Sequence, residues 1–381
     1  MLNKDDTSRV LVLGKLAWIN RSQNYEKALV YGKEVVDLAR ELSFYRGLAK
    51  SHNYLGVIYR NIGSYTKAME NFYAALKVAQ KHDIWIEEGY AQNNIGDVQN
   101  LKRDISKVLE HTNKAIKIFE QKGFSEGAAY AYIRLGEIYQ NQKDFSKSID
   151  AFETCLRLRK EINNKSQVGT TYGRLGASLM DMGAYKSALD SLDKSLAISK
   201  DLGNTKGVAR NSIHIASCHQ KLGEINQAIV FLERAILAAT EIGSKPLLQE
   251  ANLILANCYI AKGDFRMEYR YRKIHDSMKY SVILEENQRQ FELIQLRSSI
   301  EQKDSEIELL NKQSQIENAE KQTLRIGVLL SFLILILLLV FWWRGKRKNK
   351  ILANQNLEIR SKNNEINEKN IALQASEEEL I

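Results

Sequence analysis

The chain has 381 residues, 44% of them hydrophobic and 27% charged, with a formal net charge of +9. That composition excludes a disordered or collagen-like polymer and leaves room for a buried core beside one or two further segments. A single proline, Pro246, in so long a chain points to helix nearly throughout, an all-α protein, because proline is the strongest helix breaker.

The first three quarters repeat themselves. Leu55-Gly56 recurs as Ile95-Gly96, Leu135-Gly136, Leu175-Gly176, Ile215-Ala216 and Leu255-Ala256, each step 40 residues. Nine residues after each small residue stands a bulky apolar one: Tyr65, Ile105, Phe145, Tyr185, Ile225 and Phe265, with Tyr25 marking an earlier unit. Gly63, Gly183, Gly223 and Gly263 punctuate one slot between the two helices of a unit. A fixed period in this range means stacked supersecondary units, a solenoid.

Within the second unit, LGVIY…AMENF supplies Leu55-Gly56, Tyr59, Ala68 and Phe72; the fourth unit has Leu135-Gly136, Tyr139 and Phe152, with Ser148 in the alanine slot. This pattern resembles the tetratricopeptide repeat, L-G-x2-Y followed by A-x3-F on the next helix. The period is 40 rather than 34 and the closing proline is missing, so helices about a turn and a half longer in total are expected. The resemblance implies a solenoid of about seven helical hairpins over residues 1–280. The small residue lets paired helices approach, and the aromatic fills the hole beside it.

Solenoids of this kind line a concave groove with the first helix of each pair. The slot just before the small-residue pair holds Tyr54, Asn94, Arg134, Arg174 and His214, until Ile254 ends the series. Such a column of hydrogen-bonding groups suits an extended peptide or protein segment, and the two arginines suit carboxylates. The alternative is a solvated helix face with no ligand.

Other chemistries fare worse. His214 and Cys218 are four residues apart, a metal-chelating spacing. The Cys218 slot, however, reads Ile58, Val98, Ile138, Ser178, Cys218 and Cys258 down the repeats, so the cysteines are expected to pack. With Cys155 they form no CxxC pair or disulfide framework. The stretch RMEYRYRKIHDSMKY, 266–280, interleaves bases and aromatics, but a final repeat helix is the better reading than a nucleic-acid surface. No catalytic residue, metal site or cofactor is expected.

Residues 281–325 form a juxtamembrane coiled-coil stalk, with Leu293, Leu296, Ile300, Ile307 and Leu310 at heptad spacing and Lys303 interrupting. Ile326 to Trp343 is then 18 residues without a charge, about 27 Å as a helix, and reads as a single transmembrane helix. Arg344, Lys346, Arg347, Lys348 and Lys350 follow at once, and Trp342 and Trp343 sit at the belt position. The excess of bases places residues 344–381 in the cytoplasm and the repeats outside a cytoplasmic membrane. Because MLNKDDTSRVLVLGKLAWIN is no export signal, such a signal is expected upstream of the given sequence.

After the span, Leu352, Ile359, Ile366, Leu373 and Leu380 recur by sevens, with Asn349, Asn356, Asn363 and Asn370 three residues ahead of the first four. Aliphatics at one seam position and asparagines at the other describe a register-specifying, weak homodimeric coiled coil. The stretches DTSRVLVLGKLAWINRSQNYEKAL, KIHDSM, KDSEIELLNKQSQIE and ASEEEL resemble the sensory halves of bacterial tetratricopeptide-repeat histidine kinases and related receptors. That resemblance implies an output domain after the coil. The expected function is therefore a membrane-anchored sensor that binds a peptide or protein. A membrane-anchored assembly scaffold and a membrane-tethered transcription regulator are the alternatives.

Overall fold

A computed structural model describes residues 7–101 and 104–378, with side chains described to 373. Every element among them is a helix. Seven hairpins follow in order: α1 (Thr7–Asn20) with α2 (Tyr25–Glu41), α3 (Tyr45–Ile62) with α4 (Tyr65–Lys81), and α5 (Trp85–Leu101) with α6 (Ile105–Gln121). Then come α7 (Ser125–Asn141) with α8 (Phe145–Glu161), α9 (Lys165–Met182) with α10 (Tyr185–Asp201), and α11 (Thr205–Lys221) with α12 (Ile225–Glu241). Last is α13 (Lys245–Ala261) with the start of α14 (Phe265–Glu378). The bulky residues spaced by 40 open the second helix of every hairpin, from Tyr25 to Phe265.

The 40-residue period is now accounted for: most helices are 17 residues long and most connections between them are three residues, shortened to two where α3 and α9 run to 18. Eleven of the connections turn through one left-handed residue each. Between hairpins these are Ser43, Asp83, Gly123, Asn163, Gly203 and Gly243. Within hairpins they are Gly63, Lys143, Gly183, Gly223 and Gly263. Asn24, Asp104, Asp144, Asn164 and Asn204 then cap the helix that follows, each side chain accepting a backbone N–H three residues on.

The close approach inside each hairpin depends on the small residue. A Cβ on Gly56 would lie 2.3 Å from the Phe72 ring, and one on Gly136 would lie 2.5 Å from Phe152. Both rings are fully buried. In other units Thr112 and Leu192 take the aromatic's place against Gly96 and Gly176. Ser148, in the alanine slot, is buried yet satisfied, since its Oγ donates to the Gly136 carbonyl at 2.9 Å.

The described chain divides into two compact units, Met1–Ser298 and Ser299–Ile381. In the first, the 266–280 stretch is the second helix of the seventh hairpin: Tyr271 stacks on Tyr259 at 5.5 Å and the Gln249 carbonyl lies 2.9 Å from His275 Nδ1. Beyond it, Lys245 holds Ser281 at 2.8 Å and pairs with Glu285. Arg297 donates to the Gly63 carbonyl at 3.4 Å, tying α14 to the turn of the second hairpin. In the second unit every described side chain from Gln322 to Leu373 is exposed. This unit carries the one stretch, among the described residues, that is long and apolar enough to cross a membrane, with a mean hydropathy of 2.9. Leu380 lies outside the described residues.

Candidate functional site

Neighbouring first helices touch one another, α1 with α3, α3 with α5, α5 with α7, α9 with α11 and α11 with α13. The column from Tyr54 to His214 stands on these first helices, with α7 and α9 linked by the Arg174–Glu137 ion pair. The five members differ in their surroundings. Tyr54 stacks on Trp18 with ring centroids 4.7 Å apart, and Lys50 sits 5.6 Å over its ring. Asn94 is buried at 5% exposure. Arg134 and Arg174 are brought together through Glu137, and Arg174 and His214 line one pocket.

The carboxylates expected to come from a ligand are, for the arginines, largely the protein's own. Arg60 Nη1 lies 2.6 Å from Asp97. Arg134 Nε lies 3.7 Å from the same Asp97, and its Nη1 donates to Glu137 at 2.9 Å. Arg174 Nη2 reaches Glu137 at 3.1 Å. The result is a ladder of alternating charge, Arg60–Asp97–Arg134–Glu137–Arg174, crossing α3, α5, α7 and α9. Burial opposes the charge on Arg134, but Asp97, Tyr130 and Glu137 outweigh it and hold the guanidinium ionised. Burial pushes the Asp97 carboxyl upward, with Arg134 and Arg60 pulling the other way.

Beside the ladder lie polar groups that the reading of the column did not include. Asn53 donates to the Glu87 carbonyl at 3.0 Å and to its carboxylate at 3.1 Å, and burial raises the Glu87 carboxyl. Asn93, one repeat on, is 1% exposed, and neither its amide nitrogen nor its amide oxygen has a partner. His214 Nδ1 is also buried without one. Burial, with Arg210 and Arg174 adding to it, lowers the His214 pKa, so the imidazole is neutral near pH 7.

The Cys218 column is core: Ile58, Val98, Ile138, Ser178, Cys218 and Cys258 are all buried. Burial pushes the thiols of Cys218 and Cys258 up to about 11 and raises that of Cys155. All three are free and unreactive in character. Among the described residues no cluster of three or more His, Cys, Asp or Glu side chains is placed to hold a metal.

Comparison with known proteins agrees with this architecture. Residues 49–82, and the overlapping spans 127–201 and 167–241, match family models described as tetratricopeptide repeat. The repeats within 49–82 and 127–241 are tetratricopeptide repeats. Among solved structures, the apo form of RapI is 13% identical, with 72% of this chain and 98% of that one covered at a TM-score of 0.54. A signal transduction ATPase with numerous domains and a tetratricopeptide repeat sensor, from Pyrococcus horikoshii, is 17% identical. It covers 74% of this chain and 47% of its own, at a TM-score of 0.55. Aspartyl phosphate phosphatase F from Bacillus subtilis is 10% identical, with coverages of 73% and 95% and a TM-score of 0.50. At these identities the likeness shows the fold, an all-α tetratricopeptide-type solenoid. No curated protein matches the chain at a significant level.

Proposed function

We propose that the chain is the sensing part of a single-pass membrane receptor, the input half of a two-component histidine kinase. The solenoid, outside a cytoplasmic membrane, captures a peptide or protein on its first-helix face. The helix Ile326–Trp343 crosses the bilayer, and residues 344–381 form a homodimeric coil in the cytoplasm. No part of the described chain is assigned a catalytic role, a cofactor or a nucleic-acid partner.

The observation that carries this reading is α14. The second helix of the last hairpin and the fully exposed apolar stretch belong to one helix. Its early part also touches the second hairpin, through Arg297 and Gly63. A change in solenoid curvature on ligand capture therefore acts on the same helix that enters the membrane, as a relay between two arrangements needs. The basic flank supports the direction: Lys346 and Arg347 lie 4.9 and 5.5 Å over the rings of Trp342 and Trp343, an aromatic and cationic belt. Exposed Ile359, Ile366 and Leu373 support a second copy as the partner of the coil.

The same features also fit an anchored scaffold with no output. To separate them, Ile366→Cys is introduced and its disulfide yield followed in membranes with and without a captured peptide. The receptor reading expects a crosslinked dimer whose yield changes on capture, and Arg134→Ala with Arg174→Ala should weaken capture while leaving helicity intact. A monomer at normal expression, or a yield indifferent to ligand, contradicts the relay.

A further inference from the structure

The second helix of the seventh hairpin keeps a face that no further hairpin covers. In earlier units the slot of Tyr269 holds Leu29, Leu109, Ile149, Leu189 and Ile229, each buried or half-buried, whereas Tyr269 is 67% exposed. The same side of α14 runs on as Tyr280, Leu284, Asn287, Phe291 and Ile294, all exposed. Their spacing alternates between four and three residues, which is a coiled-coil seam carrying one asparagine.

This is not the seam that the stalk heptad marks. Leu293 and Leu296 point to the opposite side of the helix, the side on which Arg297 donates to the Gly63 carbonyl, and both are half-buried. That side belongs to the chain's own contacts, and the free side is the one that starts at Tyr280. Charge follows the same division. From Tyr280 to Gln295 the charged residues are Glu285, Glu286, Arg289 and Glu292, all away from the seam. The positions that flank it hold Ser281, Ile283, Gln288, Gln290 and Gln295. A second helix of the same sequence, lying parallel, therefore meets apolar and amide groups with no like charges opposed. Tyr269, Tyr280, Ile283, Leu284, Phe291 and Ile294 each leave 47% to 67% of their surface exposed. Together that is about 700 Å² per copy, near the roughly 800 Å² that each partner of a stable complex buries.

We propose that this face of α14 takes the α14 of a second copy of the chain, so that the receptor pairs outside the membrane, beside the seventh hairpin, as well as in the coil beyond it. The parallel arrangement rests on the single-span reading, since both copies then enter the bilayer in one direction. Confinement to the same membrane raises the effective concentration of the pair, which lets a seam of about 24 Å suffice. Asn287 sets the register, because only copies in step place one amide against the other. One side of α14 then holds the solenoid and the other holds its twin.

The test uses the full chain in membranes, with thiols oxidised in single-cysteine variants whose native cysteines are buried. Leu284→Cys and Asn287→Cys should form a disulfide-linked dimer about tenfold more readily than Glu292→Cys, because a disulfide forms only where the two Cβ atoms come close. Adding Phe291→Glu to Leu284→Cys sets two carboxylates face to face and should cut the dimer about tenfold, with an unchanged thermal melt because Phe291 is exposed. Equal yields from Asn287→Cys and Glu292→Cys overturn the seam. A crosslinked product that mass spectrometry shows to hold a different protein in place of the second copy also overturns it. A dimer through Ile366→Cys with none through Asn287→Cys overturns this inference and leaves the receptor reading standing. Dimers through neither remove the homodimer from that reading, and this inference with it.

Discussion

In the solenoid each helix of 17 or 18 residues hides a stripe and wets the rest: Phe72, Phe119 and Phe152 are fully buried, while most charged residues face out and Glu87 and Arg159 are exceptions. In the second unit the helix from Ile326 to Trp343 hides nothing, with Leu329 69% and Phe341 79% exposed. The difference lies in how apolar residues are distributed along the chain. A stripe at helical spacing is satisfied by a neighbouring helix, whereas a helix apolar all round needs an apolar solvent on every side. The charges follow suit, interleaved with the apolar residues in the first unit and absent from Ile326 to Trp343 in the second.

Breaking the stripe should cost most. Phe152→Ala empties a buried ring from between α7 and α8 and should lower unfolding stability by about 3–5 kcal/mol, read by denaturant melts of the full chain. Breaking the apolar rod comes next: Leu335→Arg should cost about 3 kcal/mol of insertion, seen as a loss of chain from the carbonate-resistant membrane fraction. If Leu335→Arg fractionates as the parent does, the span is wrongly placed.

Cutting the ladder is a smaller intervention. Arg134→Gln leaves Asp97 and Glu137 short of a cation and should destabilise by about 1–2 kcal/mol, discounted because the side chain is a third exposed. The linkage sign follows from the shifts. Asp97 is already raised in the folded chain, and losing Arg134 raises it further. The variant's unfolded state then releases protons that the folded state keeps, so its deficit grows as pH rises through the carboxylate range toward 7. A deficit that shrinks over that range contradicts the ladder. Smallest is Lys143→Gly, which removes a non-glycine residue from φ +62° and should raise stability by about 0.5–1 kcal/mol.

The hairpins and their period were readable from the chain because the small residue and the bulky residue nine on are imposed by a single close contact repeated every 40 residues. The turns were only half readable. Glycines mark them at Gly63 and Gly183, but Ser43, Asp83, Lys143 and Asn163 adopt the same left-handed backbone without advertising it. The column from Tyr54 to His214 was legible as a slot, yet not as a set of unlike environments. What fixes those environments is pairing between units, Arg60 with Asp97 and Arg174 with Glu137, each 37 residues apart. A search for opposite charges at that offset would have found the ladder.

The central claim, that capture and readout lie on opposite sides of one membrane helix, is tested most directly by cysteine accessibility. All three native cysteines are buried, so they give a low background. Lys122→Cys and Lys362→Cys place one exposed thiol in each unit. With a membrane-impermeant maleimide on intact cells whose outer barrier has been opened, Lys122→Cys should label fully and Lys362→Cys only after lysis. Protection of Lys122→Cys until lysis would put the solenoid on the cytoplasmic side and contradict the receptor.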